Sequence, residues 1–167
     1  MGHGLPPMSS PVLRHLLIDG SNLLHAWPEL KALVARDKDA ARAQLVKAAA
    51  GLQEAEALRV SVVFDGRGSE LVAEHPSGRS DFTVLHTPAG ATADDVIEQL
   101  VANSREPGHC LVATDDRAER QTIEALGASG LSSADLAAWV RQSSGRMGAR
   151  LEDRKRSNDR DWRKPNS

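Results

Sequence analysis

The 167-residue chain contains 40% hydrophobic and 26% charged residues, which is typical of a soluble globular protein with one domain and a tail. No apolar run approaches the roughly 20 residues that span a bilayer, so a membrane protein is not expected. The N-terminal residues lack the basic and apolar regions of a secretion signal, and a cytoplasmic location is therefore expected. Cys110 is the only cysteine, which excludes an internal disulfide and a cysteine-based zinc site.

Charge is distributed unevenly along the chain. Residues 1–140 hold 12 Lys+Arg against 19 Asp+Glu, a balance of −7, whereas residues 141–167 hold 9 against 4, a balance of +5. Apolar periodicity is also lost near the start of this basic segment. We therefore predict three parts, which are a flexible leader (1–12), a folded domain (13–142) and a basic, disordered tail (143–167).

Short apolar runs alternate with segments of helical periodicity. Runs rich in Val, Ile and Leu predict four strands buried on both faces, at residues 15–19, 59–65, 81–85 and 109–114. Helical spacing predicts four helices, at residues 37–58, 92–104, 116–126 and 132–142. Glycine, proline and serine predict a polar loop over residues 66–80. The alternation favours an α/β fold whose mostly parallel sheet is covered by helices on both sides.

Aspartates follow three of the four predicted strands. Asp19 ends the first strand, Asp65 ends the second, and Asp115 and Asp116 follow the last. In an open parallel sheet, ligands bind beyond the carboxyl ends of the strands, so these side chains are expected to lie near one another. Any one of them is also explained by the preference of aspartate for turns and helix starts. The significance of the set depends on whether the carboxylates converge.

A fourth carboxylate belongs to the helix predicted over residues 92–104. At about 100° per residue, Asp94 lies at the border of the apolar face and Asp95 on the opposite side. Several negative charges in one place raise each other's pKa values unless a cation is present. Carboxylate oxygens suit Mg²⁺ or Mn²⁺, and metal-assisted hydrolysis of a phosphodiester is the reaction that uses such a site most naturally.

Four segments, in this order and spacing, resemble the YacP-like branch of the NYN domains, which belong to the PIN-like ribonuclease superfamily. The segments are IDGSN followed by AWPEL, VVFDG, TADDVIE and VATDDR. The resemblance covers residues 13–140, and the ordered set is more specific than DGSN alone. It implies a three-layer α/β/α PIN-like domain and a metal-dependent endoribonuclease whose products carry 5′-phosphate and 3′-hydroxyl ends.

The resemblance also implies roles for residues of this chain. The catalytic set would be Asp19, Asn22, Asp94 and Asp116. Asp19, Asp94 and Asp116 would hold Mg²⁺ or Mn²⁺, with Asp65 and Asp115 as further candidate ligands, and Asp116 is a better match to the family pattern than Asp115. Thr114 and Ser21 are the candidate supporting hydroxyls.

RNA, free or on the ribosome, is the partner expected from these assignments. The candidate phosphate contacts are basic side chains of the domain and of the tail, namely Arg67, Arg79, Arg117, Arg154, Lys155 and Arg156. A solvated tail without a binding role is an alternative for the last three. An RNA-binding or ribosome-associated adaptor that keeps the fold without turnover is the alternative for the whole protein.

Other enzyme classes fit the sequence poorly. Leu71 stands where a dinucleotide-binding loop beginning at Gly66 needs its third glycine, and there is no Walker A sequence. Ser21 occupies the position at which phosphatases resembling haloacid dehalogenases have a second aspartate. The chain also has no G-x-S-x-G elbow of a serine hydrolase.

Overall fold

The structure, a computed structural model, describes residues 14–146. Its six strands are β1 (His15–Asp19), β2 (Arg59–Phe64), β3 (Val72–Glu74), β4 (Phe82–His86), β5 (Cys110–Ala113) and β6 (Ser129–Leu131). Its helices are α1 (Gly20–Ala26), α2 (Pro28–Val34), α3 (Lys38–Glu56), α4 (Ala93–Ala102), α5 (Arg117–Ala125) and α6, whose described part covers residues 133–146. The leader and nearly all of the tail lie outside the described residues.

The strands form one sheet in the order β3-β4-β2-β1-β5-β6. All neighbours pair in parallel except β3 and β4, which are antiparallel. The carboxyl ends of β1, β2 and β5 therefore lie side by side at one edge of the sheet, which we call the carboxyl edge.

Helices cover both faces because successive strand residues point to opposite sides. In β1, Leu16 and Ile18 pack in a core under α1, α2, α3 and α6, whereas Leu17 packs in a second core under α4 and α5. Aliphatic side chains fill most of both cores, and Trp27, Phe64 and Phe82 are the buried aromatic residues of the first. The observed architecture confirms the three-layer α/β/α fold and the mostly parallel sheet predicted from the sequence.

The four predicted strands are all present, with ends that differ by one residue or less. The prediction of a polar loop over residues 66–80 was wrong in part, because β3 lies within it and pairs with β4. β6 was not predicted, and no bounds were predicted for α1 and α2. The last helix passes the boundary predicted at residue 142, because Ser143 is buried and donates a hydrogen bond to Glu56 at 2.7 Å.

Within residues 14–146, none of the helices combines the length and hydropathy that are needed to cross a membrane.

Candidate metal centre

At the carboxyl edge, α1, α4 and α5 each begin with a side-chain cap. Asp19 caps α1 by accepting a hydrogen bond from the Asn22 N–H at 3.1 Å. Thr92 caps α4 in a capping box with Asp95. Asp116 caps α5 by accepting from the N–H groups of its first turn. The caps explain why polar residues stand at these three helix starts, and the positive ends of three helix dipoles lie at the carboxyl edge.

A cluster of three carboxylates lies between α4 and α5. One oxygen each from Asp94, Asp116 and Glu119 can be chosen so that all three lie within 4.8 Å of one another. Asp94 is held by a hydrogen bond from the Thr92 hydroxyl, whereas Asp95 is exposed and occupied with the cap. As predicted, the two neighbours differ in orientation, because Asp94 belongs to the cluster whereas Asp95 is exposed.

Glu119 is the member of the cluster that the sequence did not identify. It is only 1% exposed, and its Oε2 accepts a hydrogen bond from the Thr114 hydroxyl at 2.9 Å. Its Oε1 is buried without a hydrogen-bond donor among the described residues. Burial, followed by the hydrogen bond to Asp19 and the charge of Asp19, raises the pKa of Glu119 to about 9. Without a cation, Glu119 is therefore protonated at neutral pH.

Asp19 faces Glu119 from the end of β1 and is 6% exposed. Burial raises the pKa of Asp19, and the charges of Asp94 and Asp65 raise it further. Hydrogen bonds from Glu119 and from the Asn22 N–H oppose this increase. The proton shared by the pair is therefore best placed on Glu119, which donates it to the Asp19 carboxylate. Asp19 thus joins the cluster as a fourth carboxyl group.

Comparison with known proteins identifies the family. The family sequence model of the YacP-like NYN domain matches residues 16–166 of this chain. The chain belongs to the YacP-like NYN domain family. This assignment confirms the resemblance derived from the sequence motifs.

Members of this family from Bacillus subtilis are similar to the chain in sequence and structure. The protein YacP is 36% identical over 124 residues, which cover 72% of this chain and 71% of the relative. A crystal structure of Rae1 (YacP) has a TM-score of 0.70 at 30% identity and covers 86% of this chain and 83% of its own. That of its tryptophan-to-leucine mutant has a TM-score of 0.71 at 31% identity, covering 86% and 84%. The NYN domain of this chain therefore has a PIN-like nuclease fold.

Two of the predicted ligands have other partners in this NYN domain. Both carboxylate oxygens of Asp115 accept hydrogen bonds from Ser133, at 2.8 Å from its N–H and 2.6 Å from its hydroxyl. Asp115 thereby holds the start of α6 rather than joining the cluster. Asp65 accepts from the Ala93 N–H at 2.7 Å, so one of its oxygens fixes the start of α4. Asp65 is close enough to Asp19 to affect its pKa.

The supporting residues connect the segments of the site. The Asn22 side-chain oxygen accepts from the Asp115 N–H at 3.0 Å and thus ties α1 to the turn after β5. The Ser21 hydroxyl accepts from the Asp65 N–H at 3.1 Å. The buried Thr114 hydroxyl accepts from the Asp116 N–H at 3.1 Å while donating to Glu119. These three side chains position the carboxylates through neighbouring groups.

The candidate RNA contacts are not all near the cluster. Arg67 is exposed after β2 and Arg117 is exposed at the start of α5, both at the carboxyl edge. Arg79 instead forms a 2.7 Å ion pair with Asp81, directly before β4 and hence at the opposite edge. Arg154, Lys155 and Arg156 lie outside the described residues.

The acidic site is distinct from a cavity of about 390 Å³ at the amino-terminal edge of the sheet, which His15, Arg59 and Cys110 help to line. None of the clustered carboxylates contributes to that cavity. The charges of the cluster also act on Glu98 in α4. Burial, followed by the charges of nearby aspartates, raises the pKa of this residue.

Proposed function

We propose that the protein is a metal-dependent endoribonuclease that hydrolyses RNA phosphodiester bonds, with Mg²⁺ or Mn²⁺ held by Asp19, Asp94, Asp116 and Glu119. The observation that carries this proposal is the convergence of Asp94, Asp116 and the buried Glu119, whose oxygens lie within 4.8 Å of one another. The PIN-like nuclease fold of the family supports the same reaction class.

The side chains present fit a hard divalent cation. All four groups offer carboxylate oxygens, which Mg²⁺ and Mn²⁺ prefer over nitrogen or sulfur ligands. The buried Oε1 of Glu119, which accepts no hydrogen bond among the described residues, is also explained, because a buried carboxylate oxygen without a donor is costly unless a proton or a cation compensates it. A cation would displace the Glu119 proton and neutralise the repulsion among the four groups.

The chain's own residues prepare the site for hydrolysis. A bound divalent cation would lower the pKa of a water molecule and stabilise the charge that develops on the phosphate. Asp94 and Asp116 are held at the starts of two different helices, so their separation is fixed by the packing of α4 against α5. Thr114 fixes the orientation of Glu119, and Asn22 fixes the turn that carries Asp116. We expect products with 5′-phosphate and 3′-hydroxyl ends, by analogy with PIN-like enzymes.

The first test is Mn²⁺ binding by isothermal titration calorimetry, because it needs no knowledge of the RNA target. The Asp94→Asn variant should lose most of the affinity of the wild type. Asp95→Asn is the matched control, since it removes the same charge from the next residue while its amide oxygen can still complete the cap. Equal affinities of the two variants, or no wild-type binding at millimolar Mn²⁺, would contradict the proposed metal centre.

The second test is cleavage of single-stranded RNA and of RNA on translating ribosomes, read from the ends of the products. Wild type and Asp95→Asn should generate 5′-phosphorylated fragments in Mn²⁺, and Asp94→Asn should not. RNA binding by all three proteins without cleavage of either substrate would favour the adaptor instead.

A further inference from the structure

A positively charged side chain, that of Arg42, lies near the start of α3 beside the acidic site. Arg42 is in the second turn of this helix, and its Nη2 donates to the Asp65 backbone carbonyl at 3.3 Å. Because α3 leads back toward the beginning of β2, its N-terminus lies at the carboxyl edge. Arg42 is therefore at the same edge as Asp19, on the layer opposite α4 and α5.

The Arg42 guanidinium is held in place without a carboxylate. It lies over the Phe64 ring, with Cζ 5.3 Å from the ring centroid, and Phe64 in turn stacks on His86 at 5.9 Å. The Nε is buried without a hydrogen-bond acceptor among the described residues, and Arg42 forms no ion pair with any of them. Stacking restrains the guanidinium plane but leaves N–H groups at its edge for a ligand.

We infer that Arg42 binds a backbone phosphate of an RNA strand held at the acidic site; this inference rests on the proposed function. An acidic site repels RNA, so a substrate strand needs positive charge close to the cluster. Asp65 connects Arg42 with the acidic cluster, because its carbonyl contacts Arg42 and its carboxylate acts on Asp19. An RNA strand that crosses the carboxyl edge from the layer of α4 and α5 to the layer of α3 would meet Arg42. The planar guanidinium suits a phosphate better than a lysine ammonium does.

The test must separate phosphate binding from simple packing on Phe64. Arg42→Met keeps a long side chain on the ring and removes the charge, whereas Arg42→Lys keeps the charge and loses the planar fork. Arg105→Gln is the control, because it removes an exposed arginine between α4 and β5, at the opposite edge of the sheet. Fluorescence anisotropy of a labelled oligouridylate in Mn²⁺ gives Kd at several KCl concentrations, with RNA integrity checked on gels. The Tm of each protein is measured in parallel by thermal unfolding.

In Arg42→Met we expect roughly tenfold weaker binding at low salt. The slope of log Kd against log salt should fall by about 0.7, the value for one lost phosphate contact on a single strand. Arg42→Lys should recover part of the affinity, and Arg105→Gln should match the wild type. A lower Tm in Arg42→Met with unchanged affinity and slope would overturn the inference, and so would absence of wild-type binding. Cleavage is measured separately, so a catalytically inactive protein with an intact Arg42 effect would reject only the nuclease proposal.

Discussion

Glu119 in the first turn of α5 faces Asp19 at the end of β1 closely enough for each to shift the pKa of the other, although the two residues are far apart in the sequence. The contact is possible because β1 and β5 are parallel neighbours, so that the end of β1 lies beside the turn that starts α5. We expect the proton that the two groups share to be displaced by the proposed cation.

Glu119→Gln should separate metal binding from folding. Glutamine has nearly the same shape, can accept from Thr114 through its amide oxygen and can donate to Asp19 through its amide nitrogen. We expect Mn²⁺ affinity to fall at least tenfold, because a neutral amide is a much poorer ligand than a carboxylate. Metal-free stability at pH 8 should be equal or higher, since the amide needs no proton. Calorimetry and urea unfolding in EDTA measure the two effects.

The control for this variant is Glu124→Gln, which removes an exposed carboxylate from the same helix. It should leave both measurements unchanged. A Glu119→Gln protein with wild-type Mn²⁺ affinity would exclude Glu119 from the metal centre.

The metal-free protein should lose stability as the pH rises. The pKa of Glu119 is raised from 4.5 to about 9, so between these values the folded chain keeps a proton that the unfolded chain releases. Its contribution to stability is complete below pH 4.5, falls through this window and is absent above about pH 9. The decline is at most about 1.4 kcal/mol per pH unit for one proton. Urea unfolding in EDTA across this range measures it.

Added Mn²⁺ should reduce the loss at high pH, because a ligand that binds only the folded state stabilises it. Glu119→Gln should show a flatter pH profile than the wild type. A wild-type stability that rises across the window would contradict the protonation of Glu119.

Asp115 and Asp116 are adjacent but should respond differently to neutralisation. Asp115→Asn weakens two hydrogen bonds to Ser133 and should lower the free energy of unfolding by about 1 kcal/mol with little change in Mn²⁺ affinity. Asp116→Asn keeps an oxygen for the α5 cap and should mainly weaken Mn²⁺ binding. Calorimetry combined with urea unfolding distinguishes the pair. If Asp115→Asn lost Mn²⁺ binding, Asp115 would be a ligand, as the sequence alone allowed.

Removal of residues 147–167 should weaken RNA binding. This segment holds seven Lys+Arg against four Asp+Glu, and the truncation keeps Ser143 and its contact with Glu56. We expect higher Kd values for oligouridylate at low salt and a shallower dependence of log Kd on log salt, because fewer counterions are released. Mn²⁺ affinity and Tm should not change. Identical salt slopes for the full and truncated chains would assign the tail no role in binding.

The amino-acid sequence determined the parallel strands and the aspartates that follow them. A strand buried on both faces must be a short apolar run, and such runs are visible without any tertiary information. β3 was missed because its residues are all exposed, and β6 because its three residues carry only one large apolar side chain. Both are strands mainly because a longer strand lies beside each of them, and this depends on the fold.

The residues of the site were likewise predicted only in part from the sequence. Asp19, Asp94 and Asp116 were predicted because each stands at a strand end or helix start, which is a local property. Glu119 stands three residues after the cap Asp116, where a glutamate is expected to return to the cap backbone. Only the tertiary structure shows that the Asp116 N–H donates to Thr114 instead, which leaves Glu119 free to face Asp19. Sequence position fixes where a side chain starts, whereas the packing of distant segments decides which groups it meets.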